Sequence, residues 1–102
     1  MAERKLPPLN ALRAFEAAAR QLSFTRAGAE LHVTQAAASH QIRKLELQIG
    51  VQLFIRQSRK IQLTNEGKIL LPVMTKSLDA IADRLLQVSA DDGFAMLKVR
   101  IA

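Results

Sequence analysis

Cysteine is absent from the 102-residue chain. That removes disulfides, thiolate zinc sites and cysteine nucleophiles, and fits an intracellular setting. Long apolar stretches are missing as well. Arg4 and Lys5 stand directly before Leu6-Pro7-Pro8, nothing resembles a signal peptide, and the longest apolar run, Ile69 to Met74, contains Pro72. A cytoplasmic protein without a membrane span is expected. There is no glycine-rich phosphate loop, nucleophile motif or carboxylate cluster, so no catalytic residue is assigned and an enzyme is not expected. His32 and His40 sit on different elements, and Glu30 and Glu46 stand at no ligand spacing from them, so no metal ligand is assigned.

Hydrophobic residues make up 49% of the chain, enough for one compact core but marginal for two. Its most informative segment is Ser23 to Ile42. Ser23 and Thr34 each carry a hydroxyl that can accept from the free N–H groups of a following helical turn, so each reads as an N-cap. Between them Phe24, Ala27 and Leu31 form one apolar stripe, and His32-Val33-Thr34 interrupts it as a three-residue turn. After Thr34, Ala38, Ile42, Leu45 and Ile49 recur at helical spacing up to Gly50, a C-terminal stop. The opposite face of this second helix carries Gln35, Ser39, His40 and Arg43. Two short helices around a tight turn, the second with a polar front, form a helix-turn-helix and make double-stranded DNA the leading partner.

The charge supports that partner by its distribution. Net charge is +6; residues 1–63 hold ten Lys/Arg against four acids, whereas residues 64–102 hold five of each. The excess positive charge therefore lies with the helix-turn-helix, as neutralisation of phosphates requires. Ordinary solubility charge is the alternative.

A helix from about Asn10 to Gln21, with Leu12, Phe15, Ala19 and Leu22 on one side, is expected to back the motif. Beyond Gly50, Leu53-Phe54-Ile55-Arg56 and Ile61-Gln62-Leu63 read as a two-stranded wing, with Arg56, Arg59 and Lys60 at or beside its tip. A lone hairpin is marginal, so the wing must pack on the helices. Thr64 then caps a long helix with Gly67 at its third position. Met74, Leu78, Ile81, Leu85 and Val88 follow at spacings of 4, 3, 4 and 3, a heptad seam that predicts a homodimer; packing on the first helix of the same chain is the competing reading. Pro72 predicts a kink or a displaced helix start. Asp91 to Ala102 reads as a hinge and the first strand of a further domain, so a fragment of a longer protein is expected. The domain plan is 1–63 for DNA binding, with the motif at 23–42, then 64–90 for the linker helix, then 91–102.

Several segments resemble one family: Leu9-Asn10-Ala11-Leu12-Arg13-Ala14-Phe15, Leu22-Ser23-Phe24-Thr25-Arg26-Ala27, Val33 to Ile42, Leu45-Glu46, Gly50-Val51-Gln52-Leu53-Phe54 and Leu63-Thr64-Asn65-Glu66-Gly67. The N-terminal domain of LysR-type transcriptional regulators is similar over about residues 6–90, most of all in the subgroup with the glycine-cleavage activator and the β-lactamase regulators. The resemblance implies a mainly α fold: a winged helix-turn-helix of three helices and a two-stranded wing, followed by a long dimerisation helix. It also implies an effector domain that binds a small molecule, tetramers at full length, an inverted-repeat DNA site, and RNA polymerase as a further partner. No cofactor is implied for residues 1–102. Three departures stand out: Ala36 where proline is common, Ala38 where a branched residue is usual, and Gly28 where alanine is usual, the last at about 1 kcal/mol of helix propensity.

Residue chemistry assigns roles within this site. Gln35 can bond adenine in bidentate fashion and Ala36 can meet a thymine methyl, while Ser39, His40 and Arg43 reach bases or phosphates from the next turns. Thr25 and Arg26 are placed at phosphates, Thr34 opens the stretch to Arg43 that reads one half-site, and Arg56, Arg59 and Lys60 are placed at the backbone or minor groove. A solvated polar face is the alternative for each residue alone. For the whole chain the rivals are a winged-helix module that binds protein and a coiled-coil adaptor built on the seam.

Overall fold

The computed structural model describes residues 3–90. The hinge and strand expected over 91–102 lie outside the described residues. The elements are α1 (Leu9–Gln21), α2 (Phe24–Leu31), α3 (Gln35–Ile49), β1 (Phe54–Gln57), β2 (Lys60–Leu63) and α4 (Asn65–Val88). This is the mainly α, winged helix-turn-helix plan with a long final helix. No helix among the described residues is long and apolar enough to cross a membrane.

Local hydroxyl chemistry sets three of the four helix starts. Ser23 Oγ accepts from the Arg26 N–H, Thr34 Oγ1 from the Ala37 N–H and Thr64 Oγ1 from the Gly67 N–H, at 3.0, 3.0 and 3.1 Å. Each such cap contributes about 1 kcal/mol. The first helix lacks a side-chain cap, and the Pro8 carbonyl accepts from the Ala11 and Leu12 amides instead. At their C-terminal ends α1 and α2 stop on left-handed residues that are not glycine, Leu22 (φ 50°) and His32 (φ 60°). That conformation costs roughly 1 kcal/mol apiece. It is offset by amides that reach back across the stop, Ser23 N–H to the Ala18 carbonyl (3.3 Å) and Val33 N–H to the Gly28 carbonyl (2.9 Å).

The core lies where α1, α2 and α3 meet. Phe15, Ile42, Leu45, Leu53 and Phe54 are fully buried, with Ala11, Ala14, Ala17, Ala18, Ala19 and Ala27 between them. Alanines on one face let helix backbones approach closely, which leaves the interior to a few large side chains. Phe54 packs tilted against Phe15 and edge-to-face against Phe24, at centroid distances of 5.7 and 5.4 Å. Two expected core residues lie outside. Leu22 is exposed because the left-handed stop turns it away, and Ile49 because it sits on the last turn of α3, past the packed region. Their volume is supplied by Leu53 and Phe54 from the chain entering the wing.

Gly28 has a positive reason to be glycine. A Cβ there would come within 2.8 Å of the Val33 carbonyl oxygen and 3.1 Å of the Gln35 nitrogen. Its absence brings α2 against the turn and the start of α3, and an alanine there would require that turn to open slightly. The propensity cost expected from the sequence is thus matched by a closer approach. Gly67 acts alike for α4, since a Cβ would stand 2.4 Å from the Leu53 carbonyl oxygen. Thr64 completes that junction by donating from its hydroxyl to the Gln52 carbonyl at 2.8 Å.

The wing is an antiparallel pair with Phe54 opposite Leu63, Ile55 opposite Gln62, Arg56 opposite Ile61 and Gln57 opposite Lys60. Ser58 and Arg59 form its turn, with Ser58 left-handed (φ 48°). Beyond it α4 runs unbroken from Asn65 through Pro72, so the start is not displaced to the proline. The seam on α4 divides in two. Met74 is buried and Leu78 packs against the core of the same chain, as the competing intrachain reading had it. Ile81, Leu85 and Val88 continue the stripe past the end of that core and are exposed.

Candidate nucleic-acid interface

The α2–α3 turn presents the N-terminal half of α3 outward. Ala38, Ile42 and Leu45 fix one side of the helix in the core; at 100° per residue Ala36, His40 and Arg43 fall away from it, Ser39 lies at its edge, and Gln35, near the angle of Ile42 but on the first turn, is open at the helix start. Gln35, Ala36, His40 and Arg43 are exposed and Ser39 is half-buried. The positive end of the helix dipole and the free amides of its first turn point the same way, which suits a phosphate beside the bases.

Thr25, at the start of α2, sits against this face. Its hydroxyl donates to Gln35 Oε1 at 3.1 Å, so the two residues assigned to different tasks are in direct contact. The bond restrains the Gln35 amide through its oxygen and leaves its N–H₂ free to donate. Arg26 is exposed beside Thr25, and Thr34, exposed at the turn, uses one lone pair for its cap. Arg59 and Lys60 are exposed at the wing turn. Among the described residues the ion pairs engage Arg20 and Arg56, whereas Arg26, Arg43, Arg59 and Lys60 make none.

Arg56 departs from its expected place at or beside the wing tip. Phe54 and Arg56 fall on the same, inward face of β1, and the Arg56 guanidinium turns back to Glu46 Oε1 at 3.0 Å. It also lies over the Phe24 ring, 5.3 Å from the centroid. The strand alternation that hides Phe54 draws Arg56 in with it.

Glu46, weighed in the sequence only as a metal ligand, and Glu16, given no role there, are both buried acids, each with 8% exposure. Glu46 follows Leu45 in the buried stripe, and a carboxylate at an inward position calls for an internal partner; that was the available signal. Glu16 accepts from Arg20 Nε and Nη2 (2.9 and 3.0 Å) and from the Thr75 hydroxyl on α4 (2.8 Å). Arg20 reaches on to Glu30 of α2, which also accepts from Gln21. Hydrogen bonds from Arg20 hold the Glu16 carboxyl below its ordinary value against the opposing effect of burial, with Thr75 and the Arg20 charge adding to the depression. The two glutamates raise the Arg20 guanidinium in turn.

A polar helix face beside a basic two-stranded wing defines a winged helix-turn-helix DNA-binding protein. Comparison with known proteins narrows the class. Residues 9–68 match the model of the bacterial regulatory helix-turn-helix proteins of the lysR family, and the chain belongs to that family. It is 56% identical over 94 residues to the transcriptional activator AmpR of Providencia stuartii, covering 92% of this chain and 32% of that one. It is 63% identical over 65 residues to the glycine cleavage system transcriptional activator of Escherichia coli K12, covering 64% and 21%. The BenM DNA-binding domain in complex with benA site 1 DNA superposes with a TM-score of 0.72 at 34% identity, over 79% of this chain and 90% of that one. The chain spans about a third of the length of curated relatives such as AmpR. Family and fold are those of DNA-binding regulators and not of enzymes.

Proposed function

We propose that residues 1–63 read one half of an inverted-repeat DNA site and that residues 64–90 pair two such units in a homodimer. The observation that carries the reading is the α3 front: Gln35 open at the helix start, Ser39 at the edge and His40 and Arg43 outward, flanked by the unpaired cations Arg26, Arg59 and Lys60. In the major groove Gln35 reads adenine, Ala36 meets a thymine methyl, and Ser39, His40 and Arg43 reach bases or phosphates along the groove. Thr25, Arg26 and Thr34 hold phosphate beside the α3 N-terminus. Arg59 and Lys60 touch the backbone or minor groove at the wing.

The dimer forms through Ile81, Leu85 and Val88, whose stripe on α4 has no cover within the described residues. In the full-length protein residues 91–102 lead to a domain that binds a small-molecule effector, and two dimers assemble into a tetramer that regulates transcription by RNA polymerase in the cytoplasm. Titration of a nonspecific duplex across a salt series tests the DNA reading. Affinity should fall linearly with salt on logarithmic axes, and Arg59→Ala should flatten the slope by about one. No affinity at low salt would refute it.

A further inference from the structure

We infer that Glu46 and Arg56 clamp the wing at a fixed angle to α3, which makes both positioning residues for the DNA contact of Arg59 and Lys60; the inference rests on the DNA reading above. Glu46 stands near the end of α3. Its Oε2 accepts from the Leu53 N–H at 2.7 Å and the Phe54 N–H at 3.2 Å, the amides that lead into and open β1. Its Oε1 accepts from Arg56 Nη2 at 3.0 Å. One carboxylate thereby joins the recognition helix to the root of the wing at three points. Arg56 adds α2, because its guanidinium covers the Phe24 ring.

The buried Nε of Arg56 has no hydrogen-bond partner among the described residues. The guanidinium thus faces Glu46 through its terminal nitrogens, at the cost of leaving Nε unbonded. Its side chain is 20% exposed, whereas Arg59 and Lys60 stand open at the turn. Leverage gives the clamp its consequence. Three strand steps separate the root at Phe54 from Gln57, the last residue before the turn, roughly 10 Å, so a tilt of about 10° at the root moves the turn by about 2 Å. That exceeds the tolerance of a hydrogen bond to phosphate. An unclamped two-stranded hairpin has little stability with which to resist such a tilt.

Glu46→Gln separates this role from charge. The substitution keeps the shape and makes the domain more positive, so electrostatics alone predicts tighter duplex binding; the clamp predicts weaker binding. In the free protein, amide hydrogen exchange across Phe54–Leu63 should accelerate about tenfold or more in Glu46→Gln, as loss of charge-assisted hydrogen bonds implies, with the amides of α1 and α3 unchanged. On a duplex, the penalty of Arg59→Ala should shrink toward none in the Glu46→Gln background, because a displaced wing has no contact left to lose. Arg56→Lys, which keeps the charge but not the paired geometry, should resemble Arg56→Ala in both measurements. Unchanged wing exchange, an equal Arg59→Ala penalty in both backgrounds, or an Arg56→Lys variant that behaves as wild type would each overturn the clamp. Failure of the wild-type chain to bind any duplex would instead sink the DNA reading, and wing exchange in the free protein would still decide whether the clamp exists.

Discussion

Replacing Ile81, Leu85 and Val88 together by alanine tests how α4 divides its labour. These residues are 51%, 48% and 74% exposed, while Met74 on the same stripe is 8% exposed. Full burial of such a side chain contributes about 1.5–3 kcal/mol, so covering the exposed half or more of each yields about 1 kcal/mol. A two-fold interface contains every residue twice, which brings the three positions to about 6 kcal/mol and more than a 10⁴-fold change in dimer dissociation constant. Leu85→Ala alone should weaken the dimer by roughly 30-fold on the same reasoning, about 1 kcal/mol per copy. Met74→Ala should act differently: it opens a void in the chain's own core and lowers unfolding stability by about 2–5 kcal/mol. Sedimentation equilibrium over a dilution series reads the first effect and thermal unfolding the second. A triple variant that dimerises as wild type would show that this stripe is not the interface.

Glu16→Gln should remove part of the acid sensitivity of the fold. Because the folded Glu16 carboxyl titrates below its ordinary value of 4.5, its contribution is present above that pH and disappears as pH falls through the folded value. The wild-type and Glu16→Gln melting temperatures should therefore differ above pH 4.5 and converge as the pH falls below it; a constant gap would refute the assignment. Ala38→Ile should extend into a partly open pocket of about 140 Å³ bordered by Leu31, Val33 and Ala37 and by the polar side chains of Asn10, Arg13 and Gln41. Three added carbons at roughly 0.8 kcal/mol each when fully buried, about halved because the pocket opens to solvent, less a few tenths of helix penalty, give a gain of about 1 kcal/mol, or about 5 °C. A lower melting temperature would show the space cannot take them. Gln35→Ala should change base preference at one position of the half-site by about 1–3 kcal/mol, measured with single-substitution duplexes; a uniform loss across sequences would move Gln35 to the phosphate class.

Features set by chemistry within four residues were legible in the sequence, and features set by what packs alongside were not. Ser23, Thr34 and Thr64 each cap a helix because the hydroxyl and the amide it serves are three positions apart. Leu22 and Ile49 were misplaced for the opposite reason: a helical projection continues the stripe, whereas the left-handed stop at Leu22 and the position of Ile49 past the packed region take both out of the core. The seam from Met74 to Val88 is uniform as a pattern. Its neighbour changes halfway, from α1 to solvent, at a point fixed by the extent of the globule. Within the site, Ala36, His40 and Arg43 on α3 were readable because the buried back was readable, whereas Gln35, near the angle of Ile42, is open only because it stands on the first turn. Arg56 was grouped with Arg59 by charge, yet strand alternation puts Arg56 on the side of Phe54 and leaves Arg59 at the turn.

The way α4 is fastened constrains how a dimer would present two reading heads. Its first turns are fixed by Gly67 against the Leu53 carbonyl, by Met74 in the core, and by the Thr75 hydroxyl on Glu16. From Glu16 the polar chain continues through Arg20 to Glu30 on α2, so the same network that anchors α4 also holds the helix preceding the recognition helix. The exposed stripe then begins about one and a half turns beyond Thr75, and Val88 lies about 20 Å along the helix axis from it. A rigid arm of that length, joined to the head at several points, turns a small rotation at the dimer contact into a displacement of the whole head. Spacing between half-sites would then be set by α4 packing, with the α2–α3 turn left unchanged. Thr75→Val, which removes the hydroxyl but keeps the volume, should therefore loosen the preference for one half-site spacing while sparing affinity for a single half-site. Duplexes carrying two half-sites at stepped separations would show it, and an unaltered spacing profile would mean the polar chain contributes stability alone.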